Sequence, residues 1–266
     1  MEQAGRKKAV FLDVDGTLIM RRLGPHKDDL DAMEEAARKG HYIFLNTGRS
    51  FANIQKVLLE IDFLKGIVAG CGAHVLFRNG ADYQTVYSQS IPDEMIKKII
   101  NWYKKHGRCC IFEGQSNCYV INRTTWPGIG EHTITINSYD DIQEKSPGDL
   151  ITKITLEGTA TEEEQLFLKP HFDLYCLPHY SEVIIKGESK DKAMGIALKK
   201  LGLRQEDSVA VGDSANDLGM LLSAGIGIAM GNAPQEIKAA ADAVTEDFGK
   251  GGVAQALIKF VLNKNT

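Results

Sequence analysis

Short apolar runs alternate with amphipathic segments over the first third of the chain. The pattern predicts strand, helix, strand and helix in turn, at residues 9–12, 28–39, 41–45 and 50–61. In the last of these, Phe51, Ile54, Leu58 and Ile61 recur at helical spacing. Gly40 marks the end of the first helix because glycine commonly stops a helix.

The same alternation resumes at the other end of the chain. It predicts helices at 190–201, 216–224 and 234–241, a final helix from about Gly252, and strands at 208–211 and 225–229. Asn232, just ahead of Pro234, is predicted to cap the helix at 234–241. Strands interleaved with helices at both ends predict an α/β fold with one parallel, doubly wound (Rossmann-like) sheet.

The middle of the chain has a different pattern. Hairpin-like strands are predicted at 109–113 and 117–121, and a helix at 162–168. Both tryptophans, Trp102 and Trp126, also lie in this part. We therefore expect a discontinuous core domain, residues 1–81 and 183–266, with an α+β domain of residues 82–182 inserted into it.

Composition and charge exclude several classes of partner. The 266 residues are 43% hydrophobic, which is ample for a core, and 31 Lys and Arg face 35 Asp and Glu. A net charge of -4 provides no basic field for nucleic acid or anionic lipid, so local groups must hold any anionic substrate. No apolar run approaches membrane-spanning length, and residues 1–8 lack a signal-peptide core, so we expect a cytoplasmic protein.

The strongest chemical signal is Asp13-Val14-Asp15-Gly16-Thr17, directly after the strand at 9–12. Residues two apart on a strand share a face, so Asp13 and Asp15 point the same way. Two crowded carboxylates repel each other unless a cation or a shared proton intervenes. This set can bind Mg²⁺ and attack phosphorus; the alternative is a plain Asp-Gly turn between two strands.

Two further candidates begin helices. Thr47 and Gly48 follow the strand at 41–45, where a hydroxyl and backbone N–H groups can bind an anion; the alternative is an ordinary helix cap. Lys190 begins the helix at 190–201, where a cation opposes the helix dipole and calls for an anionic neighbour. The alternatives are a solvated lysine, or Lys192 in the same role.

The last candidate is Gly212-Asp213-Ser214-Ala215-Asn216-Asp217, after the strand at 208–211. Parallel sheets place ligand sites at the carboxyl ends of their strands. Asp213 therefore adds a third carboxylate near Asp13, as an oxygen-seeking Mg²⁺ requires. Asp217 by itself is also typical of an ordinary acidic residue in the first turn of a helix.

These four motifs, in this order, resemble those of haloacid-dehalogenase-superfamily phosphatases of the Cof type. The Asp-x-Asp-Gly-Thr motif lies at 13–17, the threonine at 47, the lysine at 190 and Gly-Asp-x-x-Asn-Asp at 212–217, so the resemblance covers essentially the whole chain. Such phosphatases usually have a Leu-Gly pair at the end of the following helix, and Leu201-Gly202 stands there, so the resemblance favours Lys190 over Lys192. The resemblance also implies that the domain at 82–182 is a cap domain that controls substrate access.

The resemblance implies a reaction through an aspartyl-phosphate. Asp13 is the implied nucleophile, and Asp15 first protonates the leaving oxygen and then activates water. Mg²⁺ is the implied cofactor, held by Asp13, the backbone carbonyl of Asp15, and Asp213. Asp217 orients Lys190 or a water at the metal, with Asn216 beside it. The implied phosphate-binding groups are Gly16, Thr17, Thr47, Gly48 and Lys190.

The expected substrate is a small phosphorylated metabolite, such as a sugar phosphate or a similar phosphomonoester. Two alternatives remain, a phosphomutase similar to phosphomannomutases and a non-catalytic ligand-binding protein on the same fold. Loss of Asp13, Asp15 or Asp213 would mark the latter, and all three are present. Fold and motifs do not specify which metabolite is bound.

Overall fold

The computed structural model describes residues 6–20, 23–130 and 132–263. These residues form two units. The core unit takes in the described residues of 1–48, 56–87 and 189–266, and the inserted unit comprises 49–55 and 88–188. The boundaries predicted at 82 and 182 therefore lie six residues before those of the structure, and the short segment 49–55 was not predicted to leave the core.

The described part of the chain contains the helices and strands predicted at 9–12, 28–39, 41–45, 190–201 and 208–211, to within a residue or two at their ends, and several that were not predicted. The strands are β1 (Ala9–Leu12), β2 (Tyr42–Asn46), β3 (Leu64–Ala69), β4 (His74–Asn79), β5 (Asp82–Ser88), β6 (Cys110–Gly114), β7 (Cys118–Ile121), β8 (Ile134–Thr135), β9 (Ile151–Glu157), β10 (Phe172–Cys176), β11 (Tyr180–Ile185), β12 (Ser208–Gly212), β13 (Ile226–Ala229) and β14 (Ala243–Val244). The α-helices are α1 (Lys27–Arg38), α2 (Lys56–Leu59), α3 (Asp93–His106), α4 (Tyr139–Lys145), α5 (Glu162–Leu168), α6 (Lys190–Leu201), α7 (Leu218–Ser223), α8 (Gln235–Ala240) and α9 (Gly252–Phe260). Within the described ranges, no helix has both the length and the apolar character required to cross a membrane.

The sheet of the core unit is parallel over most of its width. Its described strands run in the order β14-β13-β12-β1-β2-β3-β4-β5. Pairing is parallel from β14 to β3 and antiparallel between β3 and β4. The predicted α/β class is confirmed, while β4 and β5 form an edge of the core sheet, and β5 lies within the residues predicted to belong to the insertion.

The first strand lies in the middle of this sheet. β1 is completely buried and pairs with β12 on one side and β2 on the other, with Ala9 opposite both Ser208 and Tyr42. On one face, Phe11 and Phe44 belong to an apolar cluster with residues of α6, α7 and α8. The carboxyl ends of β2, β1 and β12 consequently lie side by side.

The inserted unit has its own sheet and its own core. Its described strands run in the order β10-β11-β9-β6-β7-β8, and all pairs are antiparallel except β7 with β8. Ile99 and Tyr103 of α3 pack in one cluster with Phe112 of β6. β6 and β7 form the predicted hairpin, with Glu113 opposite Cys118, and α5 coincides with the helix predicted at 162–168.

The helix predicted at 50–61 is wrong. The structure has a short 3₁₀ turn at Phe51–Asn53, extended backbone at Ile54 (ψ 132°) and only four α-helical residues in α2. The backbone N–H of Ser50 and the side-chain amide of Asn53 both donate to the Glu113 carboxylate of the inserted unit, at 3.3 and 3.4 Å. Helical spacing of apolar residues could not reveal this distant partner.

Candidate active site

Three predicted site residues follow directly from adjacent strands of the core sheet. Asp13 comes after β1, Thr47 after β2 and Asp213 after β12. The Asp13 N–H donates to the Val211 carbonyl at 2.9 Å, and the Thr47 N–H donates to the Val68 carbonyl at 2.8 Å. These bonds extend the sheet pairing past the strand ends and fix the backbone that carries Asp13 and Thr47.

Lys190 lies among carboxylates and is buried, with only 2% of its surface exposed. Its Nζ donates to Asp13 Oδ1 and to Asp217 Oδ1, both at 2.6 Å. Ser189 caps α6 by accepting the Lys192 N–H, so the helix begins at Lys190. Lys192 is exposed, and the structure therefore brings Lys190 to the aspartates.

Asp13, Asp213 and Asp217 each offer a carboxylate oxygen, and these oxygens lie within 4.8 Å of one another. Asp217 already accepts several hydrogen bonds. Its Oδ2 receives the backbone N–H groups of Asp213 at 3.0 Å and Ser214 at 2.9 Å, while its Oδ1 faces Lys190. Asp217 thus supports the loop, and Asp13 and Asp213 are the better placed ligands for a cation.

The charges at this cluster do not balance without a further cation. Burial, and after it Asp217, raises the pKa of Asp13 well above its usual range against the opposing effect of Lys190. Burial and Asp217 likewise raise the pKa of Asp213 to about 6. Burial acts to lower the pKa of Lys190, but Asp13 and Asp217 outweigh it and raise that pKa, so the lysine stays charged.

These residues fit a bound Mg²⁺. Within the described part of the chain, the cluster sets the one positive charge of Lys190 against three carboxylates, which leaves two negative charges when all are ionised. A divalent cation would neutralise them, and carboxylate oxygens are the ligands that Mg²⁺ prefers. Asp13 and Asp213, with the Asp15 carbonyl that the family resemblance implies, would hold it.

The two aspartates of the first motif have different surroundings. Asp13 is buried, with 4% of its surface exposed, whereas Asp15 is exposed. Gly16 has a φ of +90°, and a Cβ at this position would lie 2.4 Å from Asp213 Oδ2, so this turn requires glycine. The Asp213 carboxylate can therefore pack directly against the first motif.

The donors of Gly16 and Thr17 have partners inside the protein. The Gly16 N–H donates to the Ile19 carbonyl at 2.7 Å, and the Thr17 N–H donates to the Val14 carbonyl at 3.4 Å. The Thr17 hydroxyl donates to Asp213 Oδ1 at 3.3 Å. Phosphate binding by Gly16 and Thr17 stays a prediction.

The turn at Gly70–Gly72 forms hydrogen bonds to the second motif. Thr47 is buried, and its carbonyl accepts the Cys71 N–H at 3.2 Å. The Gly48 carbonyl accepts a hydrogen bond from the Cys71 thiol at 3.9 Å.

Asn216, in the fourth motif, accepts a hydrogen bond from the Ser214 hydroxyl at 2.9 Å. The roles predicted for Thr47, Gly48 and Asn216 remain predictions.

Two asparagines of the site were missed. Asn46, the last residue of β2, donates from Nδ2 to the Lys190 carbonyl at 3.2 Å and so holds the start of α6. The prediction that Asn232 caps α8 is wrong: the residue at the cap position is Pro234, and the Asn232 amide contacts Gly16 instead. The positions of these asparagines, directly before Thr47 and two residues before Pro234, were visible in the sequence, but their partners were not.

The inserted unit holds a second buried charged group, formed by Glu113, Lys153 and Glu182. Lys153 Nζ lies 2.5 Å from Glu182 Oε1 and 3.7 Å from Glu113 Oε1. Burial acts to raise the pKa of Glu113, but Lys153 and hydrogen bonds from Thr155 and Ser50 lower it below its usual value. Glu113 stays ionised and holds segment 49–55, which directly follows the second motif.

The chain is similar to known proteins along nearly its full length. A sequence profile of the family described as haloacid dehalogenase-like hydrolase matches residues 10–257. YkrA of Bacillus subtilis is 28% identical over 97% of this chain and 99% of its own length. The Bacillus subtilis 5-amino-6-(5-phospho-D-ribitylamino)uracil phosphatase YcsE is 26% identical over 96% of each chain. The solved structure of the subclass IIB sugar phosphatase BT4131 is 29% identical and superposes with a TM-score of 0.80, over 96% of this chain and 99% of that one.

Proposed function

Because the chain belongs to the haloacid dehalogenase-like hydrolase family, we propose that it is a Mg²⁺-dependent phosphatase of small metabolites that acts through an aspartyl-phosphate on Asp13. The family resemblance found in the four motifs is confirmed. The observation that carries the proposal is the position of Asp13, whose carboxylate lies 2.6 Å from the buried Lys190 Nζ beside Asp213 and Asp217. This arrangement supports the proposal, because it gathers a carboxylate suited to attack, a counter-charge and oxygen ligands for a cation at one edge of the sheet.

In the first half of the proposed reaction, an oxygen of Asp13 attacks the phosphorus of the ester. A new bond forms between this oxygen and phosphorus, and the bond from phosphorus to the leaving oxygen breaks. Asp15 donates a proton to that leaving oxygen. Mg²⁺, when bound, screens the two anions from each other and offsets the charge that builds up on the phosphoryl oxygens.

In the second half, Asp15 has become a carboxylate and takes a proton from a water molecule. The water oxygen attacks the same phosphorus, the Asp13 carboxylate leaves, and inorganic phosphate is released. This division of roles requires different environments for the two aspartates. Asp15 is exposed to water, whereas Asp13 is buried against Lys190. This difference supports the proposed division of roles.

We propose that Lys190, besides its bond to Asp13, binds an oxygen of the phosphoryl group that is transferred. An ammonium group carries three N–H donors, and Asp13 and Asp217 accept two of them. The third can donate to a phosphoryl oxygen. Fixed donors of this kind typically lower the barrier by a few kcal/mol each, about 3 kcal/mol in well-studied cases. Thr47, which is buried and follows the strand next to the one that Asp13 follows, is proposed to contribute its hydroxyl.

The proposed substrate class is a small phosphorylated metabolite, such as a sugar phosphate. The similarity to a sugar phosphatase and to a phosphatase of a phosphorylated ribityl compound supports this class. The groups at the strand ends act on the phosphate, which all such metabolites share. We therefore propose that the inserted unit controls access and selects among them.

A screen for phosphate release tests the proposal. The protein is incubated with hexose phosphates, pentose phosphates and phosphorylated ribityl compounds, with Mg²⁺ or with EDTA, and free phosphate is measured. We expect release from at least one compound, and only with Mg²⁺. Conversion to a positional isomer without free phosphate would indicate a phosphomutase, and inactivity on every compound despite Mg²⁺ binding would favour the non-catalytic alternative.

The proton-donating role of Asp15 predicts a dependence on the leaving group. Asp15→Asn removes the proton donor, so hydrolysis of an alkyl phosphate should fall by about 100-fold or more. Formation of the aspartyl-phosphate from p-nitrophenyl phosphate, whose leaving group needs no proton, should fall far less. Two quantities are measured in the variant and in the wild type: the rate of the initial burst of p-nitrophenol, and the steady-state rate of sugar phosphate hydrolysis. An unchanged rate on the alkyl phosphate would contradict the acid role.

A further inference from the structure

The side chain of Asn232 joins three loops of the core unit. Asn232 lies between β13 and α8, and its Nδ2 donates to the Gly16 carbonyl at 3.0 Å. Its Oδ1 accepts the Phe248 N–H at 2.7 Å. The same Nδ2 lies 3.5 Å from Asp213 Oδ2, at the long end of the hydrogen-bonding range. The amide is thus fixed by two short bonds and faces a proposed metal ligand.

The Asp213 carboxylate is held at both of its oxygens. Thr17 donates to Oδ1 at 3.3 Å, and Asn232 faces Oδ2. The absence of a side chain at Gly16 permits this approach, because a Cβ there would lie 2.4 Å from Asp213 Oδ2. These contacts restrict the rotation of the carboxylate without supplying a positive charge that would compete with a bound cation.

We propose that Asn232 is a positioning residue that orients the Asp213 carboxylate for Mg²⁺. This inference rests on the proposed function in assigning Mg²⁺ to Asp13 and Asp213. Groups that hydrogen-bond to a metal ligand typically change metal affinity by about 10–100-fold when they are removed, since the ligand then loses its fixed orientation. An amide suits this position, because it donates to two oxygens and accepts from a backbone N–H at the same time.

A purely structural role is the competing explanation. Asn232 also ties the Phe248 backbone, so its removal could loosen the loop before α9 without a specific effect on Asp213. Two substitutions separate these roles. Asn232→Ala removes both functions, whereas Asn232→Asp keeps the acceptor for Phe248 and replaces the donor with an oxygen that repels Asp213.

The test is Mg²⁺ titration of the purified protein by calorimetry, with the Mg²⁺-induced rise in Tm as a second measurement. We expect Asn232→Ala to raise the Kd for Mg²⁺ about tenfold, with little change in the substrate KM at saturating Mg²⁺. Asn232→Asp should lower the Tm of the metal-free protein more than Asn232→Ala does, although it keeps the acceptor for Phe248, because its added carboxylate repels Asp213.

Asp247→Asn is the matched control. Asp247 lies beside Phe248, and its described ion pair is with Lys250 at 2.6 Å, so this change perturbs the loop without touching Asp213. Its Mg²⁺ affinity should equal that of the wild type. The inference is overturned if Asn232→Ala binds Mg²⁺ normally, if Asp247→Asn weakens binding equally, or if Asn232→Asp behaves as the wild type.

The proposed function can fail separately. A wild type that binds Mg²⁺ but releases phosphate from no compound would refute the phosphatase proposal, while the titrations would still decide the role of Asn232. Absence of Mg²⁺ binding by the wild type would overturn the metal assignment and the role of Asn232 together.

Discussion

Asp13→Asn is expected to reduce phosphate release by at least about 1,000-fold while leaving the protein folded. The amide that replaces the carboxylate cannot form the aspartyl-phosphate, and the loss of a covalent nucleophile typically has an effect of this size or larger. The fold should persist because Lys190 keeps its second partner, Asp217, at 2.6 Å. Steady-state phosphate release and circular dichroism measure the two parts of this expectation.

A direct check on Asp13 is the mass of the protein quenched in acid during turnover. The wild type should carry one added phosphoryl group, and the Asp13→Asn variant none. Asp62→Asn, the same chemical change at an exposed aspartate, provides the control and should behave as the wild type. Wild-type turnover in the Asp13→Asn variant would contradict the nucleophile assignment.

Lys190→Met is expected to lower the free energy of unfolding by about 3–5 kcal/mol at neutral pH, the usual result of removing one partner of a buried ion pair. Methionine fills much of the same space, but Asp13 and Asp217 lose their shared counter-charge. Both carboxylates are buried, so the remaining repulsion is poorly screened. Urea unfolding of the metal-free protein measures the loss.

The destabilisation in Lys190→Met should shrink as the pH falls. The pKa of Asp213 is already raised from 3.8 to about 6, and removal of the lysine takes away an effect that lowers it. A carboxyl group with a raised pKa in the folded state binds protons that the unfolded state has released, so stability is lost as pH rises through this window. Lowering the pH from neutral towards 5 should therefore recover part of the loss.

Lys192→Met is the control for this experiment, because Lys192 lies one half-turn along the same helix and is exposed. Its stability should match that of the wild type at both pH values. If Lys190→Met is as stable as the wild type, Lys190 does not stabilise the buried carboxylates and the prediction is contradicted. A loss that does not change with pH would contradict the electrostatic cause.

Much of the candidate site could be predicted from the sequence, because it depends on local pattern. Apolar runs identify strands, and the residues after parallel strands meet at one edge of the sheet. Asp13, Thr47 and Asp213 follow β1, β2 and β12 as expected. Only the family resemblance, through the Leu201-Gly202 pair at the end of the helix, favours Lys190 over Lys192, and the burial of Lys190 agrees with it.

The remaining features depend on partners that are distant along the chain. Asn232 contacts Gly16 across 216 positions, and no local pattern indicates such a pair. Ser50 and Asn53 bond to Glu113 of the inserted unit, which interrupts a segment whose apolar spacing favours a helix. β5 extends the core sheet although its polar sequence resembles the hairpins that follow.

The central position of β1 has a consequence for synthesis of the protein. β1 is made before the other described strands, yet one of its two neighbours is β12, whose Ser208 lies opposite Ala9. Contacts of such long sequence separation form late and slow folding. A ribosome must therefore synthesise the chain through Asp213 before Asp13 can meet it, and chains that terminate before that residue should have neither the assembled carboxylates nor any activity that depends on them.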